Sequence, residues 1–330
     1  MSEPVFERMA LIGVGLIGAS LSLAAQRHGL VGEIVGCARN PETRAKAEDL
    51  GICASSTDDP AEAVRGADLV MICTPVGAYA GIAAAIQPAL EPGAIVSDVG
   101  SVKQATIRDI GPYLPDGVHF VPGHPVAGTE KSGPEAGFAE LFEQRWTILT
   151  PPPGTDTRAV ERVTRLWTGC GAMVEEMNPG HHDRVLAMTS HLPHLIAYTI
   201  VSTAADLEPG EMREVVKFSA GGFRDFTRIA ASDPIMWRDI FLNNRDAVLE
   251  VLQRFNEDIT ALQRAIRWGE GEFLEDRFRR TRELRQEVVQ AQQAGSFDPR
   301  EPAASPQTPA ERALAGQAAP APGTPGPRGS

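Results

Sequence analysis

Two short segments of this chain carry the residue types from which its chemistry can be predicted. The first is GVGLIG at residues 13–18, a turn whose glycines can bring backbone N–H groups close to phosphates. The second is GHPVAG at residues 123–128, which places His124 on a loop framed by glycine and proline. When hydride leaves a carbon that bears a hydroxyl group, the hydroxyl proton needs an acceptor, and a neutral imidazole suits that task. The pair predicts a nicotinamide-dependent oxidoreductase with His124 as its base; a structural loop histidine is the alternative.

The glycine turn lies in the sequence context of a dinucleotide-binding site. The apolar run at residues 9–12 predicts a buried parallel strand, and a helix is predicted to follow the turn. Gly13 would permit the tight turn, Gly15 the approach of a pyrophosphate, and Gly18 the packing of helix on strand. The helix N-terminus would face the phosphates. The expected cofactor contacts here are Gly13, Gly15, Leu16, Ile17 and Gly18. A purely structural glycine turn is the alternative.

The end of the second predicted strand bears on the choice of cofactor. Sites that prefer NAD usually have an acidic residue there, about 20 residues after the turn, to bind the ribose 2′-hydroxyl. This chain has Ala38 followed by Arg39. An arginine can accommodate a 2′-phosphate, so the sequence favours acceptance of NADP without excluding NAD. Alternatively, Arg39 is a solvated loop charge that stacks on the adenine of either cofactor.

Strand-like and helix-like patterns alternate as far as Met177, which predicts a doubly wound α/β sheet of the Rossmann type. Strands are predicted at residues 9–12, 33–37, 68–73, 93–98, 118–121, 146–150 and 172–177. Ligands of such sheets bind beyond the carboxyl ends of the strands. Thr74, Pro75, Ser101 and His124 follow predicted strand ends, so we expect them in one cleft. Ser101 could bond both cofactor and substrate hydroxyl, or could only cap the next helix.

After Met177 the chain reads as helices, so the expected division is a dinucleotide-binding domain at 1–177 and a helical domain at 178–293. Residues 294–330 are rich in proline, alanine and glycine and are expected to form a disordered tail. A stripe of apolar residues between Val248 and Leu262 recurs at helical spacing and predicts either core or a subunit interface. Residues 185–205 lack charged side chains but hold too many polar ones for a lipid-exposed helix, so a helix buried in the helical domain is expected.

The helical part offers further polar groups. The segments HHD at 181–183 and SHLPH at 190–194 contain histidines, and substrate binding by at least one of them is favoured. A metal site is disfavoured because proline separates the pair in SHLPH and no HExxH pattern occurs. Arg224 and Arg228 would share one helical face, where a guanidinium suits a carboxylate. Pairing with nearby aspartates is the alternative. Trp237 would pack or line the cleft.

Composition limits the class of protein. The chain has 330 residues and a formal net charge of −12, which argues against general binding of nucleic acids. An anionic substrate must therefore be captured by local cations. The four cysteines show no metal-site spacing, which fits a reducing compartment, and the N-terminus lacks an apolar signal segment. The sequence thus predicts a cytoplasmic protein with no membrane or nucleic-acid partner.

Five motifs in this order resemble the prephenate/arogenate (cyclohexadienyl) dehydrogenase family of tyrosine biosynthesis. They are GVGLIG (13–18), DVGSVK (98–103), GHPVAGTEKSG (123–133), SHLPH (190–194) and GGFRDFTRIAASDPIMWRDIF (221–241). The resemblance covers about residues 8–290. It implies a Rossmann domain followed by an all-helical domain that dimerises, and NAD(P)-dependent oxidative decarboxylation of prephenate or arogenate. The chain departs from many NAD-using members at Ala38, where they carry an aspartate.

The resemblance also implies roles for individual residues. His124 would take the proton of the ring hydroxyl, and Ser101 would bridge that hydroxyl and the cofactor. Arg228 would bind a substrate carboxylate and form a gating ion pair with Glu130. Three further residues would shape or line the same substrate pocket: His191, His194 and Trp237.

Two other functions would require different residues. A β-hydroxyacid dehydrogenase would have a lysine followed four residues later by asparagine, but Lys217 is followed by Gly221 at that spacing. A non-catalytic dinucleotide sensor would keep the glycine turn and need neither His124 nor Arg228.

Overall fold

The computed structural model describes residues 3–207, 214–215, 217–219 and 221–290. Six strands form one parallel sheet in the spatial order β3-β2-β1-β4-β5-β6. These strands are β1 (Phe6–Ile12), β2 (Val31–Cys37), β3 (Ser55–Thr57), β4 (Leu69–Ile72), β5 (Ile95–Asp98) and β6 (His119–Val121). The order reverses at β1, which is the switch point where doubly wound sheets bind ligands. The Rossmann-type architecture predicted from the alternating pattern is confirmed.

Helices cover both faces of this sheet. They are α1 (Leu16–Arg27), α2 (Pro41–Asp49), α3 (Pro60–Ala63), α4 (Tyr79–Ile86) and α5 (Lys103–Ile110). The central strands are buried on both faces: β4 is inaccessible along its whole length. This explains why β4 is apolar throughout rather than alternating. One core cluster lies on each side of the sheet.

The last two predicted strands do not extend this sheet, which corrects the expectation of a single one. Strands β7 (Gly123–Pro125), β8 (Trp146–Leu149) and β9 (Met173–Glu176) form a separate three-stranded sheet. Helix α6 (Thr157–Gly169) joins the parallel pair β8 and β9, whereas β7 runs antiparallel to β8. His124 therefore lies in a strand, opposite Ile148, and not on the loop that was predicted.

The helical part begins where the sequence indicated. Asn178 caps a helix by accepting hydrogen bonds from the N–H groups of Gly180 and His181, and Pro179 occupies the first turn. The described helices are α7 (Pro179–Leu186), α8 (Leu192–Ala205), α9 (Gly221–Thr227), α10 (Pro234–Asn243), α11 (Arg245–Trp268) and α12 (Gly271–Gln290).

A π-helical turn at Ala187–His191 connects α7 and α8 without interrupting the helix. Its cause is Pro193, which has no N–H to donate to the carbonyl four residues earlier and whose ring would clash with that carbonyl. Widening the preceding turn relieves the conflict, and the N–H of Leu192 instead bonds to the carbonyl of Ala187, five residues back.

The continuous helix Pro179–Ala205 is long and apolar enough to cross a membrane by length and composition, but only 28% of its most apolar window is buried within this chain. The expected burial in the helical domain is therefore wrong for a single chain: Met188 is 59% exposed. The predicted apolar stripe on α11 is only partly core in the single chain: Val248 is buried, whereas Leu249 and Ile259 are exposed. The predicted tail at 294–330 lies outside the described residues.

Candidate active site

The glycine turn has the geometry of a dinucleotide cradle. Gly13 has φ +100°, a left-handed conformation that disfavours any side chain. A Cβ on Gly18 would lie 2.3 Å from the carbonyl oxygen of Gly13, so only glycine lets α1 approach the turn. Around Gly15, by contrast, a Cβ would meet no described atom within 4 Å. Gly15 stands at the N-cap of α1, and no side chain caps this helix, so its first N–H groups face open space.

A second feature of the cradle is the turn after β4. The hydroxyl oxygen of Thr74 is buried and has no hydrogen-bond partner among the described residues. Thr74 also packs against Gly13, with a methyl group 3.0 Å from the position of a Cβ there. An unsatisfied buried hydroxyl beside a glycine turn fits a polar ligand that lies across both strand ends. Pro75 continues the same turn. The residues present therefore fit a dinucleotide.

Two glycine substitutions separate folding from cofactor binding. We expect Gly18→Ala to destabilise the protein by about 2 kcal/mol because its Cβ clashes with rigid backbone. Gly15→Ala should leave stability unchanged and weaken dinucleotide binding at least about tenfold, since the methyl group would occupy the phosphate's approach. Thermal melting and a fluorescence titration with reduced dinucleotide measure the two effects. Equal melting temperatures for both variants, or unweakened binding by Gly15→Ala, would contradict this assignment of the turn.

Arg39 lies at the end of the loop that follows β2. Its side chain is exposed and makes no ion pair within the described part of the chain. The loop itself is held by Arg44, whose guanidinium donates to the carbonyl oxygens of Ala38 and Arg39 at 2.8 and 3.1 Å. Arg39 is thus a free cation on an ordered loop.

The backbone just before His124, at Gly123, is fixed by a buried ion pair. Lys103 and Asp98 are fully buried, with Nζ 2.8 and 2.6 Å from the two carboxylate oxygens. The Lys103 ammonium also donates to the carbonyl oxygen of Gly123 at 2.5 Å, and Asp98 accepts from the N–H of Gly123 at 3.1 Å. The hydroxyl of Tyr79 also donates to the carboxylate, at 3.0 Å. With both charges hydrogen-bonded in this way, the desolvated pair is tolerated.

The imidazole of His124 is buried, with 8% of the residue exposed. Its Nδ1 lies 2.8 Å from Nε2 of His182, and Nδ1 of His182 lies 2.8 Å from a carboxylate oxygen of Asp183. Burial lowers the pKa of His124 well below its ordinary value, and the positive charge of Lys103 acts in the same direction. His124 is therefore neutral near pH 7, as a general base must be.

A second group of rings lies beside this pair. His191 is fully buried and receives a hydrogen bond at Nδ1 from the amide of Asn244, 3.0 Å away. Its Nε2 and the Nε1 of Trp237 are both buried and have no hydrogen-bond partner among the described residues. Trp237 stacks on His194 with ring centroids 3.6 Å apart. Burial lowers the pKa of His191 to about 4, so its ring is neutral near pH 7. Because Nδ1 accepts a hydrogen bond from Asn244, the proton of the neutral ring lies on Nε2, which can donate it to a partner.

Arg228 and Glu130 form an ion pair at 2.7 Å, with the arginine side chain 53% exposed. The contact that the resemblance implied is thus present. Arg228 is close enough to His194 for its charge to lower that histidine's pKa, an effect secondary to burial. Arg224 makes a 3.4 Å contact with Asp225, one of the aspartates of the alternative, and Arg228 begins the 3-10 turn that directly follows α9.

Ser101 follows β5 in the turn before α5, at the carboxyl edge of the six-stranded sheet where Thr74 follows β4. It does not cap α5: Val102 occupies the N-cap position, and the carboxylate of Asp183 accepts from the N–H groups of Lys103 and Gln104 at 2.7 and 2.9 Å. The capping alternative is therefore wrong. The Ser101 hydroxyl makes no hydrogen bond to another described residue, which leaves it available to a ligand.

Sequence reasoning did not assign roles to several residues that build the site: Tyr79, Asp98, Lys103, His182, Asp183 and Asn244. Asp98 and Lys103 were quoted within the DVGSVK motif, and His182 and Asp183 within HHD. The missed signal was a charged residue inside an apolar strand end, where an unpaired charge would be costly.

Comparisons with known proteins agree with this geometry. The prephenate dehydrogenase nucleotide-binding domain model matches residues 21–176, and the prephenate dehydrogenase dimerization domain model matches residues 178–280. The chain is 41% identical over 281 residues to the cyclohexadienyl dehydrogenase of Zymomonas mobilis, covering 85% of this chain and 96% of that protein. It is 38% identical to the prephenate dehydrogenase of Bacillus subtilis over 83% of this chain and 73% of that one.

Among solved structures, the prephenate dehydrogenase of A. aeolicus in complex with hydroxyphenyl propionate and NAD⁺ is similar, with a TM-score of 0.79 and 39% identity. That match covers 86% of this chain and 98% of the other. The Synechocystis arogenate dehydrogenase matches with a TM-score of 0.71 and 26% identity, over 85% and 99% of the two chains. With a nucleotide-binding α/β part, a helical part and a buried neutral histidine between them, this chain belongs to the prephenate dehydrogenase family of oxidoreductases.

Proposed function

We propose that this protein catalyses the NAD(P)-dependent oxidative decarboxylation of prephenate, arogenate or both. The observation that carries the proposal is the buried, neutral His124, which follows the carboxyl end of β6 in the sheet whose strand β1 leads into the glycine turn. The identities of the relatives support the same reaction, and they do not favour the β-hydroxyacid dehydrogenase or the sensor. A non-catalytic dinucleotide sensor would have no need for a general base that is held by buried hydrogen bonds.

The reaction removes a hydride from the ring carbon that bears the hydroxyl group and releases the ring carboxylate as CO₂. The oxidised nicotinamide, when bound, accepts the hydride. We propose that His124 accepts the proton of the hydroxyl group as hydride leaves. His124 then returns this proton to the phenolic oxygen once the ring is aromatic. Ser101, with a hydroxyl that no described residue engages, would hold the same substrate oxygen. Loss of CO₂ and aromatisation of the ring make the overall reaction irreversible.

The substrate's carboxylates need cations in a protein whose net charge is −12. We assign one carboxylate to Arg228, which would exchange its partner Glu130 for the substrate. The two unsatisfied donors, Nε2 of His191 and Nε1 of Trp237, are suited to an oxygen of the substrate. His194, stacked on Trp237, would shape the same pocket.

The cofactor assignment rests on the fit of the glycine turn and of Thr74. We further propose that NADP is accepted alongside NAD. Arg39 is free to bind a 2′-phosphate, and Ala38 supplies no carboxylate to bind the 2′-hydroxyl or to repel the phosphate.

We also propose that the protein acts as a homodimer in the cytoplasm. The helical part matches a domain described as a dimerization domain. Large apolar side chains are exposed on it in the single chain, among them Met188, Leu249, Ile259 and Ile266. Such a surface is typical of a covered interface. The expected domain division at residue 177 coincides with the boundary between the two matched family models, which supports it.

A steady-state assay of reduced-dinucleotide formation tests the function. Prephenate and arogenate are each combined with NAD and with NADP, and the four values of kcat/KM are compared. We expect turnover in at least one combination, and turnover with NADP if Arg39 binds the 2′-phosphate. No turnover in any combination, by folded protein that binds a dinucleotide, would overturn the proposal.

The pH dependence of kcat/KM is a further prediction. Because the pKa of His124 lies well below 6.5, the active neutral base persists below that pH. We expect kcat/KM to stay flat from about pH 8 down to about pH 6 and to fall only below it. Unfolded histidines bind protons below about pH 6.5 whereas these buried ones do not, so stability also falls there, and melting must be followed in parallel. An acid limb centred at or above pH 6.5 would contradict the assignment.

A further inference from the structure

We propose that His182, held by Asp183, is a positioning residue that fixes the tautomer of His124 and so presents an unprotonated Nε2 to the substrate's hydroxyl group. The inference deepens the proposed function and rests on it for its catalytic consequence. It begins from three side chains in a row, Asp183, His182 and His124, joined by two contacts of 2.8 Å each.

The direction of the hydrogen bonds follows from Asp183. Burial raises the pKa of its carboxyl, but hydrogen bonds from His182 and from the N–H groups of Lys103 and Gln104 outweigh burial and leave the pKa below its ordinary value. Asp183 is therefore ionised, and an ionised carboxylate only accepts hydrogen bonds. The proton between Asp183 and His182 must then lie on Nδ1 of His182.

The carboxylate of Asp183 is held in place by hydrogen bonds from two backbone groups of another element. Its Oδ1 accepts from the N–H of Lys103 at 2.7 Å, and its Oδ2 accepts from that of Gln104 at 2.9 Å. These are the first N–H groups of α5, which attract a negative charge. The carboxylate thus caps one helix from a position 80 residues later in the chain.

The tautomer of His182 follows from its neutral ring and its contact with Asp183. Burial lowers its pKa, although the hydrogen bond to Asp183 opposes the effect, so the ring is neutral near pH 7. A neutral imidazole with a proton on Nδ1 has a lone pair on Nε2. That lone pair lies 2.8 Å from Nδ1 of His124 and must accept a proton from it.

His124 is neutral as well, so with its proton on Nδ1 its Nε2 has the lone pair. This atom makes no hydrogen bond to any residue in the described part of the chain. When Nε2 takes the substrate's proton, the resulting imidazolium still donates from Nδ1 to His182, whose own contact with Asp183 stabilises the charge. The backbone just before His124 is set separately, by Lys103 and Asp98, so His182 acts on the ring alone.

Nitrogen-15 NMR of histidine-labelled protein tests the inference without any substrate. The signal of His124 is identified by its loss in His124→Asn. We expect the parent to show a proton on Nδ1 and a lone pair on Nε2 of His124. In His182→Leu, which has no acceptor, the proton should move to Nε2, and His182→Gln, whose carbonyl can still accept, should restore the parent pattern. A parent with its proton on Nε2, or an unchanged tautomer in His182→Leu, would overturn the inference.

Kinetics give the matching readout. His182→Leu should lower kcat at least about 100-fold with dinucleotide affinity unchanged, and His182→Gln should recover to within about tenfold of the parent. His181→Leu is the matched control, since this neighbouring histidine is exposed, and it should behave as the parent. Equal losses in the leucine and glutamine variants would contradict the tautomer role. If the parent turned over no substrate, the proposed function would fail while the NMR test would still decide the tautomer.

Discussion

Replacement of His124 with asparagine is expected to lower kcat by about a thousandfold, within the range that general acid–base catalysis contributes. Asparagine has no nitrogen that accepts a proton near neutral pH, so the hydroxyl proton would have no acceptor as hydride leaves. Its amide can nevertheless donate to Nε2 of His182 from nearly the position of Nδ1, which preserves the buried contact now at 2.8 Å. The loss should therefore fall on kcat and not on folding.

Three measurements make this prediction specific. The melting temperature and the dinucleotide affinity of His124→Asn should match the parent, and KM for the cyclohexadiene substrate should change by less than about threefold. A matched control is His28→Asn, an exposed histidine just past the end of α1, which should retain parent activity. Retention of more than about a tenth of the parent kcat by His124→Asn would show that another group accepts the proton.

The second large effect is expected at Arg228. Removing its guanidinium by Arg228→Ala should lower kcat/KM about 30-fold, mostly through a raised KM, because a charge-assisted hydrogen bond to a carboxylate contributes about 2 kcal/mol. The arginine is half-exposed and already ordered by Glu130, so its loss should leave the melting temperature unchanged. The change in KM without a matching change in kcat would mark it as a binding group.

Two further variants control for charge and for the loss of an ion pair. Glu130→Gln removes the competing carboxylate and leaves Arg228 free, so KM should fall or stay the same. Arg27→Ala breaks another arginine–glutamate pair, with Glu140, on a different part of the surface, and should not change KM. An unchanged KM in Arg228→Ala, or an equal rise in Arg27→Ala, would contradict the assignment of the substrate carboxylate.

The parts of this site that could be predicted are those specified by short, contiguous segments. The glycine turn was predictable because the constraints on Gly13 and Gly18 arise within a few residues: one needs a left-handed conformation and the other lies against the first one's carbonyl group. The cap at Asn178 was predictable for the same reason, since a side chain bonds N–H groups two and three residues on.

Contacts between distant segments could not be predicted in this way. Asp183 caps α5 across 80 residues of sequence, and His182 meets His124 across 58. No local pattern distinguishes an aspartate that will cap a remote helix from one that faces water. The strand that carries His124 was missed for a related reason: three residues with a proline show no periodicity, and they form a strand only because β8 lies alongside.

Burial of the helix Pro179–Ala205 was overestimated because its apolar composition was attributed to packing within a single chain. Polar residues such as Thr199 and Thr203 satisfy their hydroxyl groups on the carbonyl four residues earlier, so they are no obstacle to an apolar environment. The apolar composition of the helix is consistent with a surface covered by a second copy, although the single chain leaves most of it accessible.

The most direct test of the central claim is a count of products. Prephenate labelled with carbon-14 at the ring carboxylate is incubated with the parent protein and the better of NAD and NADP, and released labelled CO₂ and reduced dinucleotide are measured together. Oxidative decarboxylation predicts equal molar amounts of the two at every time point, and His124→Asn should slow both equally. Reduced dinucleotide without labelled CO₂, or labelled CO₂ without reduced dinucleotide, would contradict the account.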